Sequence, residues 1–264
     1  MPSDWTQLEQ AVNEANERAT VGVSVIGPDG GEWSHLGDEL FPAASTVKIG
    51  IMVEIYRKID RGELALDDVH TLSQDGKAPG SGVLSQMHTG LQLSLSDLLY
   101  LMMSISDNTA TNILIDYAEM GAVNATMREI GMERSNLSRK MLGRRAEGEP
   151  ENLAAPNDYT RAIATIIDGD AASPAACEAM VATLEKQQNP RRIGHHVPSE
   201  EGYRWGSKTG TLRDVCNDAG FIITPNGRLI IAVFARDLDH PTTGEGIIAN
   251  ITKAAMDATG IAGS

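Results

Sequence analysis

Strand-like patterning is confined to the two ends of this chain, and that arrangement constrains the fold more than any other feature. Near the start, "TVGVSVIGPDGGEWSHLG" (20–37) alternates apolar and small residues across a Pro-Asp-Gly-Gly turn, the pattern of a β-hairpin. Near the end, "GYRWGSKTG" (202–210) leads into "DAGFIITPNGRLIIAVFAR" (218–236), two apolar runs around Pro-Asn-Gly. Between them, over 46–186, the periodicity is mainly helical, as in "TVKIGIMVEIYRKIDRG" and "APNDYTRAIATIIDG". Helices are also predicted over 4–19, with Ser3 or Asp4 as N-cap, and over "TGEGIIANITKAAMDATG" (243–260). The order predicts an α+β fold of three-layer α/β/α type. An antiparallel sheet is built from both termini with flanking helices, and an all-helical lobe is inserted. The expected organisation is a single domain, 1–264, with an α/β lobe from 1–45 plus 190–264 and an all-helical lobe from 46–189.

The chain has 264 residues, 41% hydrophobic and 22% charged, ample for a sizeable core. Its net charge of −14, with no Lys/Arg cluster, argues against a nucleic-acid partner. No apolar run approaches the roughly 20 residues of a membrane span. The first residues, "MPSDWTQLEQAVNEANERA", have neither a basic nor an apolar signal region. A cytoplasmic protein without a membrane partner is expected as numbered, or a periplasmic or secreted one if an export signal was removed. A monomer is expected. Cys177 and Cys216 lie in separate segments without metal-ligand spacing and read as two ordinary thiols.

Three short motifs carry possible chemistry. Ser45-Thr46-Val47-Lys48 places a serine and a lysine one helical turn apart at the head of the apolar "IGIMVEI" segment. There the helix N-terminus favours a developing anion, and a neutral lysine can take the serine proton. The plain alternative is an N-cap serine with a snorkelling lysine. Ser106-Asp107-Asn108 interrupts "LLYLMMSI" and could equally cap a helix starting near Thr109. Lys208-Thr209-Gly210-Thr211 ends a predicted strand, where a glycine turn would also account for it.

Taken together and in this order, the motifs resemble the S-x-x-K, S-D-N and K-T-G signature of class A β-lactamases and penicillin-binding proteins, and class A more closely. "GSGVL" before the central helix, "SDNTATNIL", and the pairing of "PRRIGHHVP" with "WGSKTG" extend the similarity over nearly the whole chain. The resemblance implies a class A β-lactamase-like serine hydrolase that opens β-lactam amide bonds through an acyl-enzyme on Ser45. Alternatives are an esterase or amidase on the same fold, or a penicillin-binding module acylated without rapid turnover. The substrate would be a small molecule, a β-lactam or a small ester or amide, and neither cofactor nor metal is implied.

Residue by residue, the resemblance implies that Lys48 accepts or relays the Ser45 proton, held by Ser45, Ser106 and Asn108. Ser106 would protonate the departing nitrogen, poised by Lys208, which would also attract the substrate carboxylate. Asn108 would hold an acylamido group or Lys48. Thr209 and Thr211 would offer hydroxyls to the carboxylate, and Gly210 lies between them. The N–H groups of Ser45 and Thr211 would form the oxyanion hole. Arg192 sits where some class A enzymes carry an arginine for the carboxylate; Arg191 and Arg213 are weaker candidates. His195 and His196 read as surface residues.

One element departs from the family. Class A enzymes carry Glu-x-x-Leu-Asn on a long loop, where the glutamate activates the deacylating water. Here the region reads "RKMLGRRAEGEPENLAAPNDYT", shorter and without that motif. Glu147 is the nearest formal match and so the candidate base. Glu149 and Glu151 are also available, and any of the three could be a solvated loop carboxylate.

Overall fold

The computed structural model describes residues 3–141, 148 and 150–261. The helices are α1 (Thr6–Asn16), α2 (Lys48–Asp60), α3 (Leu95–Ser104), α4 (Asn108–Ala118), α5 (Met120–Glu129), α6 (Pro156–Ile167), α7 (Pro174–Leu184) and α8 (Pro241–Thr259). The strands are β1 (Thr20–Ile26), β2 (Glu32–His35), β3 (Phe41–Pro42), β4 (Val69–Thr71), β5 (Gln92–Ser94), β6 (Leu153–Ala154), β7 (Arg204–Thr211), β8 (Cys216–Thr224) and β9 (Gly227–Arg236).

Five strands form one antiparallel sheet in the order β2-β1-β9-β8-β7. Both termini supply it, as the patterning predicts. The period-2 alternation sorts its side chains into two cores. Val21, Val23 and Val25 of β1, with Ile231, Val233 and Ala235 of β9, pack with α1 and α8 residues such as Leu8, Val12, Ile248 and Ile251. Ile230, Ala232 and Phe234 face the other way and join the core of the helical region. A one-residue slip would exchange these two sets, so the register is firmly specified.

At the centre of that second core lies α2, where every residue from Lys48 to Tyr56 is buried. A helix apolar on nearly all sides suits such an enclosed position. Its buried Glu54 is not left unpaired: it accepts from Arg61 at 2.9 Å and from Thr126 of α5.

The middle of the chain is not purely helical. Val69–Thr71 pairs with Gln92–Ser94, and Phe41–Pro42 with Leu153–Ala154. Strands of two or three residues are too short to show a period against a helical background. The first pair is held as much by flanking bonds, Leu72 N–H to Leu91 O at 2.8 Å and Gly90 N–H to Leu72 O at 2.9 Å. At the N-terminus, α1 begins at Thr6 and its N-cap position is Trp5, because Asp4 uses its carboxylate in a local turn to the Thr6 N–H and hydroxyl. Cys177 and Cys216 are buried free thiols.

Candidate active site

Three segments converge where the helical region meets the edge of the sheet. The first is the turn leading into α2. Ala44–Val47 forms a 3-10 turn, with α2 following from Lys48, so Ser45 stands just before the α-helix proper. Ala44 adopts φ +48°, a left-handed conformation unusual for a residue with a Cβ and costing on the order of 1–3 kcal/mol. Surrounding bonds hold the turn: Ala43 N–H donates to Asn152 O at 2.7 Å, and the Asn217 side-chain amide donates to Pro42 O at 2.8 Å.

The second segment breaks the helix between α3 and α4. Asp107 caps α4, its Oδ1 accepting the Ala110 N–H at 2.9 Å. Its Oδ2 accepts the N–H groups of Val83 and Leu84 at 2.6 and 2.9 Å, so the same carboxylate fastens the 80–84 loop. Capping therefore explains Asp107 while leaving Ser106 and Asn108 for other work. Gly82, at φ +103°, lies against Asp107 so closely that a Cβ would meet Oδ2 at 2.2 Å. Ser106 itself has φ +61°, which turns both its hydroxyl and its carbonyl toward Lys48.

The third segment is β7, the edge strand of the sheet. Gly210 packs directly on the serine turn, and a Cβ there would meet Ala43 O at 2.9 Å and Ala44 Cβ at 3.1 Å. Glycine is what allows this strand so near Ser45.

Lys48 and Lys208 are both completely buried. Lys48 Nζ donates to Ser106 O at 2.8 Å, Ser106 Oγ at 3.0 Å and Asn108 Oδ1 at 3.1 Å. Lys208 Nζ donates to the same Ser106 Oγ at 3.2 Å and to Thr209 O at 2.9 Å. One hydroxyl is thus shared by two buried amines. Burial holds Lys48 well below the usual lysine range, Lys208 pushes it further the same way, and Asp107 opposes. Burial likewise brings Lys208 down to about 7, with Asp218 opposing and Arg192 adding to the fall.

The partners of Lys48 differ from the expectation in one respect. Among the described residues no hydrogen bond joins it to Ser45; the Ser106 carbonyl takes that place, a consequence of the left-handed backbone there that sequence does not reveal. Asn108 is held at both ends of its amide, Oδ1 by Lys48 and Nδ2 on Pro79 O at 2.9 Å.

Arg192 is buried beneath the strand rather than presented on its surface. Its guanidinium donates to Gly210 O at 3.0 Å, Asn217 O at 2.7 Å and Thr211 Oγ1 at 2.6 Å, and pairs with Glu245 at 3.5 Å. Because Arg192 occupies an acceptor position of Thr211 Oγ1, the Thr211 hydroxyl hydrogen is free to point elsewhere. Arg191 is exposed and pairs with Glu245 at 3.1 Å, and Arg213 is exposed. His195 and His196 are exposed and stack edge to face on each other.

Two adjoining hollows open at Ser45. One is bounded by Ser106, Thr209, Thr211 and Arg192, the other by Asn108, Arg139, Lys140, Met141 and Glu151. Among the described residues lining them, Glu151 is the one carboxylate, against Arg139, Lys140 and Arg192. Two of these cations are already paired, Lys140 with Asp116 and Arg192 with Glu245. Glu147 and Glu149 lie outside the described residues. Sequence reasoning missed Met141, whose N–H and carbonyl are both bonded to the Asn112 side chain at 2.7 and 3.0 Å. It also missed Asn217 and Asp218. The signal for that pair was present: two polar residues inside the apolar run of β8.

A sequence model described as the beta-lactamase enzyme family matches residues 5–259. The chain is 29% identical over 264 residues to the β-lactamase AER-1 of Aeromonas hydrophila, covering 97% of this chain and 82% of that one. It is 27% identical over 246 residues to BRO-1 of Moraxella catarrhalis, covering 89% and 78%. Among solved structures it superposes on a β-lactamase from Sphaerobacter thermophilus with a TM-score of 0.96 at 54% identity, covering 97% of this chain and 98% of that one. It also superposes on PBP-A with a TM-score of 0.87 at 25% identity, covering 96% and 95%.

Proposed function

The chain belongs to the beta-lactamase enzyme family, and from that premise we propose that it hydrolyses β-lactams through an acyl-enzyme on Ser45. The observation that carries the mechanism is the Ser106 hydroxyl held between two fully buried amines, Lys48 at 3.0 Å and Lys208 at 3.2 Å.

Ser45 Oγ attacks the lactam carbonyl carbon, and the developing oxyanion lies at the N-terminus of α2, between the main-chain N–H groups of Ser45 and Thr211. Lys48 receives the serine proton, its burial favouring the neutral amine that acts as a base. When the C–N bond breaks, its electron pair remains on nitrogen and takes the Ser106 hydroxyl proton; Lys48 returns a proton to Ser106. The balance is closed: one proton moves from Ser45 to the lactam nitrogen, and an ester forms. Lys208 attracts the substrate carboxylate, with the hydroxyls of Thr209 and Thr211 beside it. Arg192 acts through Thr211 by fixing the direction of that hydroxyl.

Hydrolysis of the ester requires a base near Ser45. Glu147 lies outside the described residues, and the candidacy of Glu151 is supported by its place lining the same hollow as Ser45. Acylation uses the three intact motifs, whereas deacylation lacks the family's glutamate motif, so acylation outpaces deacylation and the ester accumulates. A point mutant of PBP-A, a neighbour 25% identical to this chain, was solved as an acyl-enzyme complex with penicillin-G. Stopped-flow hydrolysis of a chromogenic cephalosporin is expected to show a burst of about one equivalent followed by a slower phase. In Glu151→Gln the burst should persist and the slow phase fall at least ten-fold. Burst-free rapid turnover in both proteins would refute the accumulation, and an unchanged slow phase in the variant would remove Glu151 as the base.

A further inference from the structure

Asp218 carries a carboxylate with no exposed surface in the interior of β8. Its Cα partner across the ladder is Thr209, the residue after Lys208. Strand alternation places Lys208 on the face turned to the helical region, where it meets Ser106, and Asp218 on the face turned to α1 and α8. The contacts agree: Asp218 Oδ2 accepts the Ile193 N–H at 3.2 Å, and Ile193 belongs to the α1/α8 core. Oδ1 makes no bond of full hydrogen-bond geometry among the described residues, and the Ser207 hydroxyl of β7, on the same face, is the polar group that helps the carboxylate keep its charge.

A buried carboxylate is expensive to maintain unless neighbouring charge offsets it. On its own strand the buried Cys216 thiol, pushed up to about 12 by burial, faces Asp218 as a neutral group, and the charges around the carboxylate come from the other elements. Arg192 lies under the same strands, bonded to Gly210 O and Asn217 O. Glu245 of α8 is engaged by Arg192, Arg191 and Asn189. On the far side of the sheet are Lys208, Lys48 and the capping Asp107. Arg192 and Lys48 repel a charge on Lys208, and Glu245 is engaged elsewhere. Asp218 is the anion placed to favour it.

We propose that Asp218 is a positioning residue for the substrate-carboxylate site, keeping the Lys208 amine charged from behind β7 and, through Ile193, holding the Arg192 segment under Thr211. This rests on the reading that Lys208 binds the substrate carboxylate. The directions of titration agree with the geometry: burial lowers Lys208 to about 7 with Asp218 as the counterweight, and burial raises Asp218 with Arg192 as the largest opposing influence.

The test is the pH profile of acylation by benzylpenicillin, measured by mass spectrometry of quenched samples between about pH 5.5 and 9, for the parent and Asp218→Asn. If the variant loses about one pH unit of Lys208 basicity, its deficit grows from about two-fold at pH 6 to about ten-fold at pH 8. The loss should appear in apparent affinity, and acylation by a neutral p-nitrophenyl ester should keep its profile. A deficit equal at every pH would mean a merely structural role and overturn the proposal. So would coincident profiles. A second readout uses the parent alone: the Asp218 carboxyl carbon, followed by NMR, should show a step at the pH where Lys208 titrates, about 7, because coupled groups report each other's protons. A flat Asp218 signal across that pH would likewise refute the coupling, whether or not the variant folds. Failure of the parent to form any adduct on Ser45 is a different result, which overturns the functional reading itself.

Discussion

Replacing Lys208 by methionine should make the protein more stable while crippling its action on anionic β-lactams. Lys208 is fully buried, and its pKa falls from the ordinary 10.5 to about 7. Each unit of pKa is about 1.4 kcal/mol, so keeping this amine charged in the folded state costs about 5 kcal/mol, and about 4 at pH 7, where it is half titrated. The sign follows from proton counting. Between about pH 7 and 10.5 the unfolded chain holds a proton that the folded chain has released, so stability rises with pH across that window and the cost is complete below it. Methionine removes the cost but forfeits bonds to Ser106 Oγ and Thr209 O, about 1 kcal/mol each. It also removes one of the positive charges near Asp218, although Arg192, the larger counterweight to that carboxylate, remains. A net gain of about 1–2 kcal/mol remains near pH 7, which for a chain of this size means a Tm higher by about 3–6 °C. Thermal and urea unfolding of both proteins at about pH 6, 7, 9 and 10 measures it. The gain should shrink and then reverse as the pH rises. A Lys208→Met protein less stable at every pH, with a difference flat in pH, would refute the claim that this lysine is held at an electrostatic cost.

Other substitutions probe the remaining supports. Gly210→Ala puts a methyl group against Ala43 O and the Ala44 side chain, so acylation should fall at least ten-fold in single-turnover assays while the fold, read by circular dichroism, persists. Asp107→Asn keeps an acceptor for the Ala110 N–H but weakens the grip on Val83 and Leu84. A loss of about 1–2 kcal/mol in urea unfolding is expected, since bonds to a charged acceptor are the stronger ones. Lys208→Ala should depress acylation by anionic penicillins about ten-fold or more relative to a neutral p-nitrophenyl ester; equal losses on both would assign Lys208 to Ser106 rather than to the carboxylate.

The sheet was legible because its strands alternate cleanly. Val21, Val23 and Val25 announce one face of β1, and the run from Leu229 to Ala235 supplies both faces of β9. The convergence of Ser45, Ser106 and Lys208 was legible only as a resemblance, since nothing in their spacing brings residues this far apart together. Two features were hidden for a physical reason. Backbone handedness at Ala44 and Ser106 has no residue-type signature when the residue is not glycine, so the Ser106 carbonyl could not be foreseen as a partner of Lys48. The burial of Arg192 depends on how the segment before Ile193 folds under β7, which no periodicity encodes. Asp107 is instructive in the opposite sense. Its capping role and its neighbours' place in the site are both real, because one carboxylate serves the helix end and the adjoining loop together.

The central claim is that Ser45 is the nucleophile, and the covalent adduct tests it most directly. The protein is mixed with benzylpenicillin, quenched within seconds, digested and analysed by mass spectrometry. The account predicts one penicilloyl group per chain, on the peptide containing Ser45, and none in Ser45→Ala. An adduct on Ser106, or undiminished labelling of Ser45→Ala, would contradict it.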